Sequence, residues 1–259
     1  MSLVLSHEAG FFSCCSIRLW HILQYVKETQ QLPTHIDSTR LFTWYKKPSD
    51  NRDITFDYFV HHDIMPPVST DPVAYHWDDQ YEPYPSLPYQ ALCPMVQKYF
   101  TPNRAIDTLL HEMECKYRIQ YSMTCVLFYR GNDKNRETTI CGYEEYINRA
   151  NDIQKLQPNV RFLIQSDETE FIDFFTQLYP NSLVLRDEIR HIPKCNSTVD
   201  NYNRHLNYDF SKQFLAITLL MSKCKYIVCG SGNCSIWIMF YRGHANNVCQ
   251  QLNNTWIMN

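Results

Sequence analysis

The 259-residue sequence has little excess charge, no internal repeat and no low-complexity run. Its formal net charge is −3 and its isoelectric point is near 6.3, so it lacks the basic field that favours nucleic-acid or anionic-membrane binding. It opens without the basic segment of a secretory leader, and no apolar run reaches a membrane-spanning length. We therefore expect a soluble, cytoplasmic protein that binds neither nucleic acid nor a membrane.

Signs of a disulfide framework or a metal site are also missing, although the chain contains 11 cysteines. That number is odd and the chain is not small, which favours reduced thiols. Cys224, Cys229 and Cys234 are spaced too evenly for a zinc knuckle or finger. His61 and His62 are adjacent, so on an extended segment they would point to opposite faces. We predict no metal site.

The N-terminal part begins with apolar residues whose spacing is first typical of a strand, then of a helix, then of a strand again. They predict a strand at residues 3–5, a helix at 16–28 and a second strand at 35–36. Eight of the 13 prolines then lie between residues 43 and 94, where long regular elements are not expected. A helix at 104–113 is predicted to follow.

Strands and helices alternate in the C-terminal part, which predicts a parallel sheet with crossover helices. The predicted strands are 123–129, 161–165, 182–185 and 225–229, and the predicted helices are 143–156, 169–178, 210–222 and 233–241. We place a boundary near residue 115. The prediction is an α/β protein with two lobes, residues 1–115 and 116–259.

Polar side chains follow three of these strands, at the ends where parallel sheets bind ligands. One loop supplies positive charge, one supplies carboxylates for hydroxyl groups, and one supplies backbone N–H groups at a helix start, a set that suits a nucleotide diphosphate. Each loop alone is typical of an ordinary turn, and only their coincidence indicates a site. The candidate binding residues are Arg130, Asp133, Lys134, Ser166, Asp167, Glu168, Ser231, Gly232, Asn233 and Ser235.

The segment from Leu127 to Lys134 resembles the H-x-R-x-x-D-K motif of fucosyltransferases of the core α1,6 and nodulation type. Residues 162–168 resemble their strand that ends in an acidic pair, and residues 214–231 resemble their last helix, strand and serine. The whole chain, including Gly10 to Ser16, also resembles glycosyltransferase-like proteins of large algal and amoebal DNA viruses. Those proteins are expected to build capsid glycans, in which xylose and fucose both occur.

The resemblance implies a GT-B-like fold of two Rossmann-like lobes with parallel sheets and a cleft between them. The C-terminal lobe would bind the sugar nucleotide and the N-terminal lobe the glycan acceptor, in the host cytoplasm if the chain is viral. It also implies an inverting, metal-independent transfer in which Arg130 binds the donor diphosphate while Asp133 and Lys134 assist. Phe128 stands where the motif has its histidine. Gly131 stands directly after the arginine, where the family has a second basic residue. UDP-xylose therefore stays open as a donor beside GDP-fucose.

Glycosyl transfer needs a group that stabilises the departing diphosphate and a base that deprotonates the acceptor. No D-x-D triplet that could hold a metal ion occurs in the chain, so no cofactor is expected, and Arg130 with the helix start at 230–235 would stabilise the leaving group. The candidate bases are Glu137, Glu8 and His7; Glu137 is one position closer to the lysine than the motif predicts.

Aromatic side chains of the N-terminal part are candidates for stacking on the acceptor sugar. They are Trp44, Tyr45, Trp77, Tyr81 and Tyr84. The alternative to an enzyme is a catalytically silent glycan- or nucleotide-binding module of the same fold. A nucleotide hydrolase is disfavoured because neither a P-loop nor a G-x-S-x-G motif is present. The oligomeric state is not predicted.

Overall fold

A computed structural model describes residues 2–63, 68–202 and 204–259; Pro66 and Pro67 of the proline-rich segment lie outside the described residues. The strands of the described part are β1 (Ser2–Ser6), β2 (His35–Arg40), β3 (Phe59–Val60), β4 (Thr101–Pro102), β5 (Thr124–Tyr129), β6 (Arg161–Ser166), β7 (Tyr226–Gly230), β8 (Val248–Leu252) and β9 (Thr255–Met258). Its α-helices are α1 (Phe11–Thr29), α2 (Tyr89–Tyr99), α3 (Arg104–Tyr117), α4 (Tyr143–Leu156), α5 (Thr169–Leu178), α6 (Val199–Tyr202), α7 (Asn207–Lys223) and α8 (Asn233–Arg242).

The main sheet has the strand order β6-β5-β7-β8-β9. β5 pairs in parallel with β6 and β7, β7 pairs in parallel with β8, and β9 closes the edge in antiparallel orientation. β5 is buried along its whole length, as expected for a strand with a neighbour on each side and both faces covered. The α/β class with parallel strands is therefore confirmed.

Several predicted elements occur with their predicted bounds or close to them. The helices at 143–156 and 169–178 are α4 and α5 without change. Residues 182–185 were predicted as a strand and contribute only one bridge, between Leu183 and Leu163. β8 was not predicted, because two glutamines interrupt its apolar pattern even though both are buried.

In the proline-rich segment, the described residues form short 3-10 helices and the two-residue strand β3 until α2 begins at Tyr89. α2 continues through Pro94, so the prediction that residues 43–94 contain no long regular element was wrong at the end of that range. Proline deprives the carbonyl four residues earlier of its partner. Here that carbonyl belongs to Gln90, which is exposed, so water can replace the missing bond.

The N-terminal part carries a smaller parallel pair, β1 with β2, connected by α1. Its helices α1 and α2 pack on α8, and α3 packs on α7. Trp237 of α8 joins these elements, since its ring centroid lies 6.1 Å from that of Phe12 and 4.8 Å from that of Phe100. The buried core is thus continuous across residue 115, and the division into two lobes stays a prediction.

Two further features of the described residues concern membrane spans and cysteine chemistry. No helix among them is both long and apolar enough to span a membrane. All 11 cysteines are unpaired thiols, as the sequence predicted. The subcellular location stays a prediction.

Candidate active site

A cavity of about 710 Å³ lies where β5, β6 and β7 end. The first turn of α1, the 3-10 helix Trp77–Tyr81, residues 188–190 and 198–200, and α7 form its other walls. Glu8 and Glu168, both predicted site residues, are not part of the lining. The predicted residues that do line the cavity are His7, Arg130, Asp133, Lys134, Glu137, Ser166, Asp167, Ser231, Gly232, Asn233 and Ser235.

Arg130 stands directly after β5 and is held by carboxylates from two loops. Its Nε lies 3.1 Å from Oδ2 of Asp167, and its Nη2 lies 3.4 Å from Oδ1 of Asp133. Burial opposes the charge, but the carboxylates of Asp167 and Asp133 raise the pKa of Arg130 above its usual value. Because 24% of the side chain stays exposed, a permanent positive charge faces the cavity.

The loop after Arg130 is shaped by hydrogen bonds from side chains to the backbone. Asp167 Oδ1 accepts from the Gly131 amide at 2.9 Å, and Asn132 Nδ2 donates to the Asp167 carbonyl at 2.7 Å. Asn132 Oδ1 accepts from the Cys195 amide at 2.9 Å. Asn132 has a φ of 29°, a left-handed conformation that asparagine tolerates better than most residues. The loop is therefore held in place before any ligand binds.

Glu168 lies behind this loop. It is fully buried, and its Oε1 accepts a hydrogen bond from the Tyr143 hydroxyl. A Cβ on Gly131 would lie 2.9 Å from Glu168 Cδ and 2.8 Å from Tyr129 Cε1. The position at which the motif has a second basic residue therefore has no room for a side chain.

Lys134 and Glu137 form an ion pair at the cavity with a third group from the N-terminal part. Lys134 Nζ lies 2.5 Å from Glu137 Oε2 and 3.1 Å from the Tyr81 hydroxyl. Tyr81 donates to Glu137 Oε2 at 2.9 Å. Burial opposes ionisation, but Lys134 and the Tyr81 hydroxyl hold the pKa of Glu137 below its usual value. Glu137 is therefore ionised near pH 7.

Two helices begin at the cavity, α1 and α8. Neither is capped by the residue before it, which is Gly10 for α1 and Gly232 for α8. At α1 the Phe11 amide instead donates to the Tyr45 hydroxyl at 2.7 Å. Uncapped first-turn N–H groups and the helix dipole favour anions. Asn233 Oδ1 accepts from Ser16 Oγ at 2.6 Å, which ties the two helix starts together.

The two serines near the start of α8, Ser231 and Ser235, donate hydrogen bonds to backbone carbonyls. Ser235 Oγ donates to the Gly230 carbonyl at 2.6 Å, and Ser231 Oγ donates to the Gln251 carbonyl at 2.8 Å. Gly232 has a φ of 154°, and a Cβ there would lie 2.9 Å from Lys134 Nζ. Only glycine therefore allows this loop to pass so close to the lysine.

His7 and Glu8, the two candidate bases in the loop after β1, differ in their position relative to the cavity. His7 lines the cavity, and its Nε2 lies 2.9 Å from Ser13 Oγ. Burial, with a smaller contribution from His21, lowers the pKa of His7, so its imidazole is neutral near pH 7 and can accept a proton. Glu8 is exposed outside the lining, and its Oε1 accepts from Trp44 Nε1 at 3.3 Å.

Several lining residues were not predicted. Asp200 lies between the predicted strand 182–185 and the predicted helix 210–222, where the sequence indicated no functional residue. Its Oδ1 lies 3.6 Å from Arg190 Nη2. Gln165 ends the predicted strand 161–165. A single amide side chain after three apolar residues of that strand could have indicated a ligand contact. Of the predicted aromatic residues, Trp44, Tyr45, Trp77 and Tyr81 line the cavity. The unpredicted polar lining residues include Asp78, Gln80, Gln165, Arg190, Thr198, Asp200 and Cys234.

Within residues 2–63, 68–202 and 204–259, no three His, Cys, Asp or Glu side chains lie together as a metal site requires. Metal independence stays a prediction.

The arrangement defines an α/β protein whose parallel strands end at a cavity lined by the Arg130 side chain. Its fold is similar to that of NodZ alpha-1,6-fucosyltransferase soaked with GDP-fucose, with a TM-score of 0.62 and 12% identity over 100% of this chain and 99% of that one. It is also similar to fucosyltransferase NodZ from Bradyrhizobium, with a TM-score of 0.58 and 11% identity over 98% and 99% of the two chains. No protein-family model and no curated protein matches the chain. At this identity the likeness shows the fold alone.

Proposed function

We propose that the protein is an inverting, metal-independent glycosyltransferase that moves a sugar from a nucleotide-sugar donor to a hydroxyl group of a glycan acceptor. The observation that carries this proposal is the convergence of Arg130 with the N-terminal starts of α1 and α8 on one cavity. Three sources of positive potential at one place suit a diphosphate. The similar fold of proteins studied with GDP-fucose and with GDP supports the nucleotide-sugar class.

The leaving group is stabilised by groups that are already in place. When the bond between the anomeric carbon and the diphosphate oxygen breaks, negative charge collects on the diphosphate. Arg130 and the first-turn N–H groups of α8 neutralise that charge. Lys134 contributes as well, since the bound diphosphate competes with Glu137 for its ammonium group.

The acceptor hydroxyl loses its proton to a base in the same cavity. Glu137 is the proposed base, because it is ionised and becomes available when Lys134 turns towards the diphosphate. His7 is the second candidate, since its lowered pKa leaves the imidazole neutral. In this proposal Trp44, Trp77 and Tyr81 of the N-terminal lobe form the acceptor side.

The donor sugar in this proposal is xylose or fucose, and the acceptor is a growing glycan such as that of a viral capsid. A thermal-shift screen with GDP-fucose, UDP-xylose and other sugar nucleotides tests the donor. We expect one donor to raise the melting temperature by several degrees, because a ligand at about 100 times its Kd adds roughly 2.7 kcal/mol of stability. The same shift is expected with EDTA present.

Transfer is then measured with the stabilising donor and a panel of glycan acceptors. Failure of every sugar nucleotide to stabilise the protein would refute the proposal. Stabilisation by a donor without transfer to any acceptor would identify a silent binding module instead.

A further inference from the structure

The cavity has an apolar wall that a diphosphate does not need. Phe210, Phe214 and Ile217 follow one another at intervals of four and three residues, so they share one face of α7, and all three line the cavity. Phe128 of β5 adds a fourth apolar side chain to the lining. A wall of this kind suits a flat, partly apolar ligand group.

Gln165 stands beside Phe128, its partner in the parallel register of β5 and β6. The side chain is only 4% exposed, and it lines the cavity. In the part of the chain that the structure describes, its amide oxygen Oε1 has no hydrogen-bond partner. Burying an amide without a partner costs stability, so the free protein retains Gln165 at a cost that a ligand can offset.

The distance from this pair to the cationic end of the cavity follows from the strands. Phe128 and Gln165 lie two residues before Arg130 and Asp167 respectively, on the same face of the sheet. Two strand residues span about 7 Å. The amide and the aromatic ring therefore lie about that distance from Arg130 and Asp167, deeper along the sheet than the proposed diphosphate site.

We propose that Gln165 binds the hydrogen-bonding edge of the donor's nucleobase, which packs against the wall formed by Phe128, Phe210 and Phe214. An amide presents an acceptor and a donor side by side, and nucleobase edges present the complementary pair. This inference rests on the proposed function and adds the element that recognises the base.

The test compares ligands with and without a base. Dissociation constants are measured by calorimetry for UDP, GDP, ADP, CDP and inorganic pyrophosphate with the wild type, Gln165→Leu and Gln80→Leu. Gln80 is the matched control, because its amide oxygen is also buried, unpartnered among the described residues and part of the lining. It lies instead near Gly232, 3.9 Å from the position of a Cβ there.

We expect the wild type to bind one nucleoside diphosphate more tightly than pyrophosphate. In Gln165→Leu that advantage should fall about ten- to hundredfold, because the hydrogen bonds to the base are lost, while pyrophosphate affinity is unchanged. In Gln80→Leu the advantage should persist. Gln165→Leu should also unfold at a higher denaturant concentration than the wild type, because the unpaired amide is gone.

The role of Gln165 would be overturned if Gln165→Leu still bound the nucleoside diphosphate more tightly than pyrophosphate by the wild-type factor. It would also be overturned if Gln80→Leu lost that preference to the same degree. Either result would leave the proposed function intact. A less stable Gln165→Leu with unchanged base dependence would show that the residue is structural. Wild-type protein that binds no nucleoside diphosphate would overturn this inference together with the proposed function. Gln165→Met, which is closer in shape, replaces the leucine variant if that variant does not fold.

Discussion

Arg130 Nε lies 3.1 Å from Asp167 Oδ2, and the two residues follow the neighbouring parallel strands β5 and β6. Asp167 Oδ1 is in turn held by the Gly131 amide, so the carboxylate keeps one side of the guanidinium in a constant orientation. Among the described residues, the other side contacts the weak acceptor Cys234 Sγ, 3.5 Å from Nη1, and Asp133 Oδ1, 3.4 Å from Nη2. Those nitrogens are available to an anion without loss of the Asp167 contact.

Arg130→Ala should weaken nucleoside diphosphate binding at least about hundredfold, roughly 3 kcal/mol, since charge-assisted hydrogen bonds are lost. Calorimetric titration with UDP and GDP measures the effect. Arg136→Ala, which removes an exposed arginine from the same loop, is the control and should leave affinity within a factor of about two. Equal affinities for the two variants would contradict the role of Arg130.

Removing Arg130 also leaves the buried Asp167 carboxylate without its cation. We therefore expect Arg130→Ala to lower the free energy of unfolding by about 3–5 kcal/mol. Adding Asp167→Asn to that variant should restore part of the loss, because the unpaired charge is removed. Urea unfolding of the two single variants and the double variant gives the coupling energy, and strict additivity would show that the pair does not interact.

Gly131→Ala should destabilise the protein by about 1–3 kcal/mol, because the new Cβ overlaps Glu168 and Tyr129. Glu168 cannot easily move aside, since it is fully buried and bonded to Tyr143. Gly142→Ala is the matched control: nothing lies within 4 Å of its Cβ position, so its effect should stay below about 1 kcal/mol. Unfolding curves that coincide for the two variants would show that the loop is not packed as described.

Glu137→Gln should lower the transfer rate about 10²- to 10⁴-fold, as expected for loss of a general base. Donor affinity should not fall, because the diphosphate no longer competes with a carboxylate for Lys134. The measurement separates kcat from the Kd of the donor. A near-normal rate would instead favour His7, and His7→Gln would then be the variant that loses turnover. Loss of donor affinity with an unchanged kcat would indicate that Glu137 acts only by positioning Lys134.

Stability should decrease as the pH falls from about 6.5 to about 4, in part because of His61. Partial burial of the His61 ring, which keeps an exposed face, and the Arg18 guanidinium, whose Nη2 lies 3.0 Å from His61 Nε2, lower the pKa of His61 from 6.5 to about 4. In that window the unfolded state binds a proton that the folded state does not, so the contribution is complete above pH 6.5 and lost towards pH 4. Solvent screening reduces the resulting contribution to stability.

The corresponding variant is His61→Gln, whose free energy of unfolding should depend less on pH between 4 and 6.5. His62→Gln, which removes the neighbouring exposed histidine, controls for the loss of a histidine. Chemical denaturation at a series of pH values provides the comparison. Identical pH profiles for His61→Gln and the wild type would contradict the assignment.

Much of the C-terminal architecture was determined by local sequence. The apolar run that forms β5 can be buried only inside a sheet, and the helical spacing of α4 and α5 predicted their bounds without change. Because parallel strands end at one edge of a sheet, the order of strands and helices already indicated that Arg130, Asp167 and Ser231 would meet. All three line the same cavity.

Only the tertiary structure decided which side chains complete that cavity and which stay out of it. Tyr81 reaches Glu137 across 56 positions of sequence, and no local pattern encodes such a contact. The sequence placed Glu168 among the ligand groups, whereas packing turns it towards Tyr143 and leaves no space beside Gly131. The hydrogen bonding of Gln165 could not be predicted either. The sequence placed this residue in a strand, but whether its buried amide is hydrogen-bonded depends on every element packed around it.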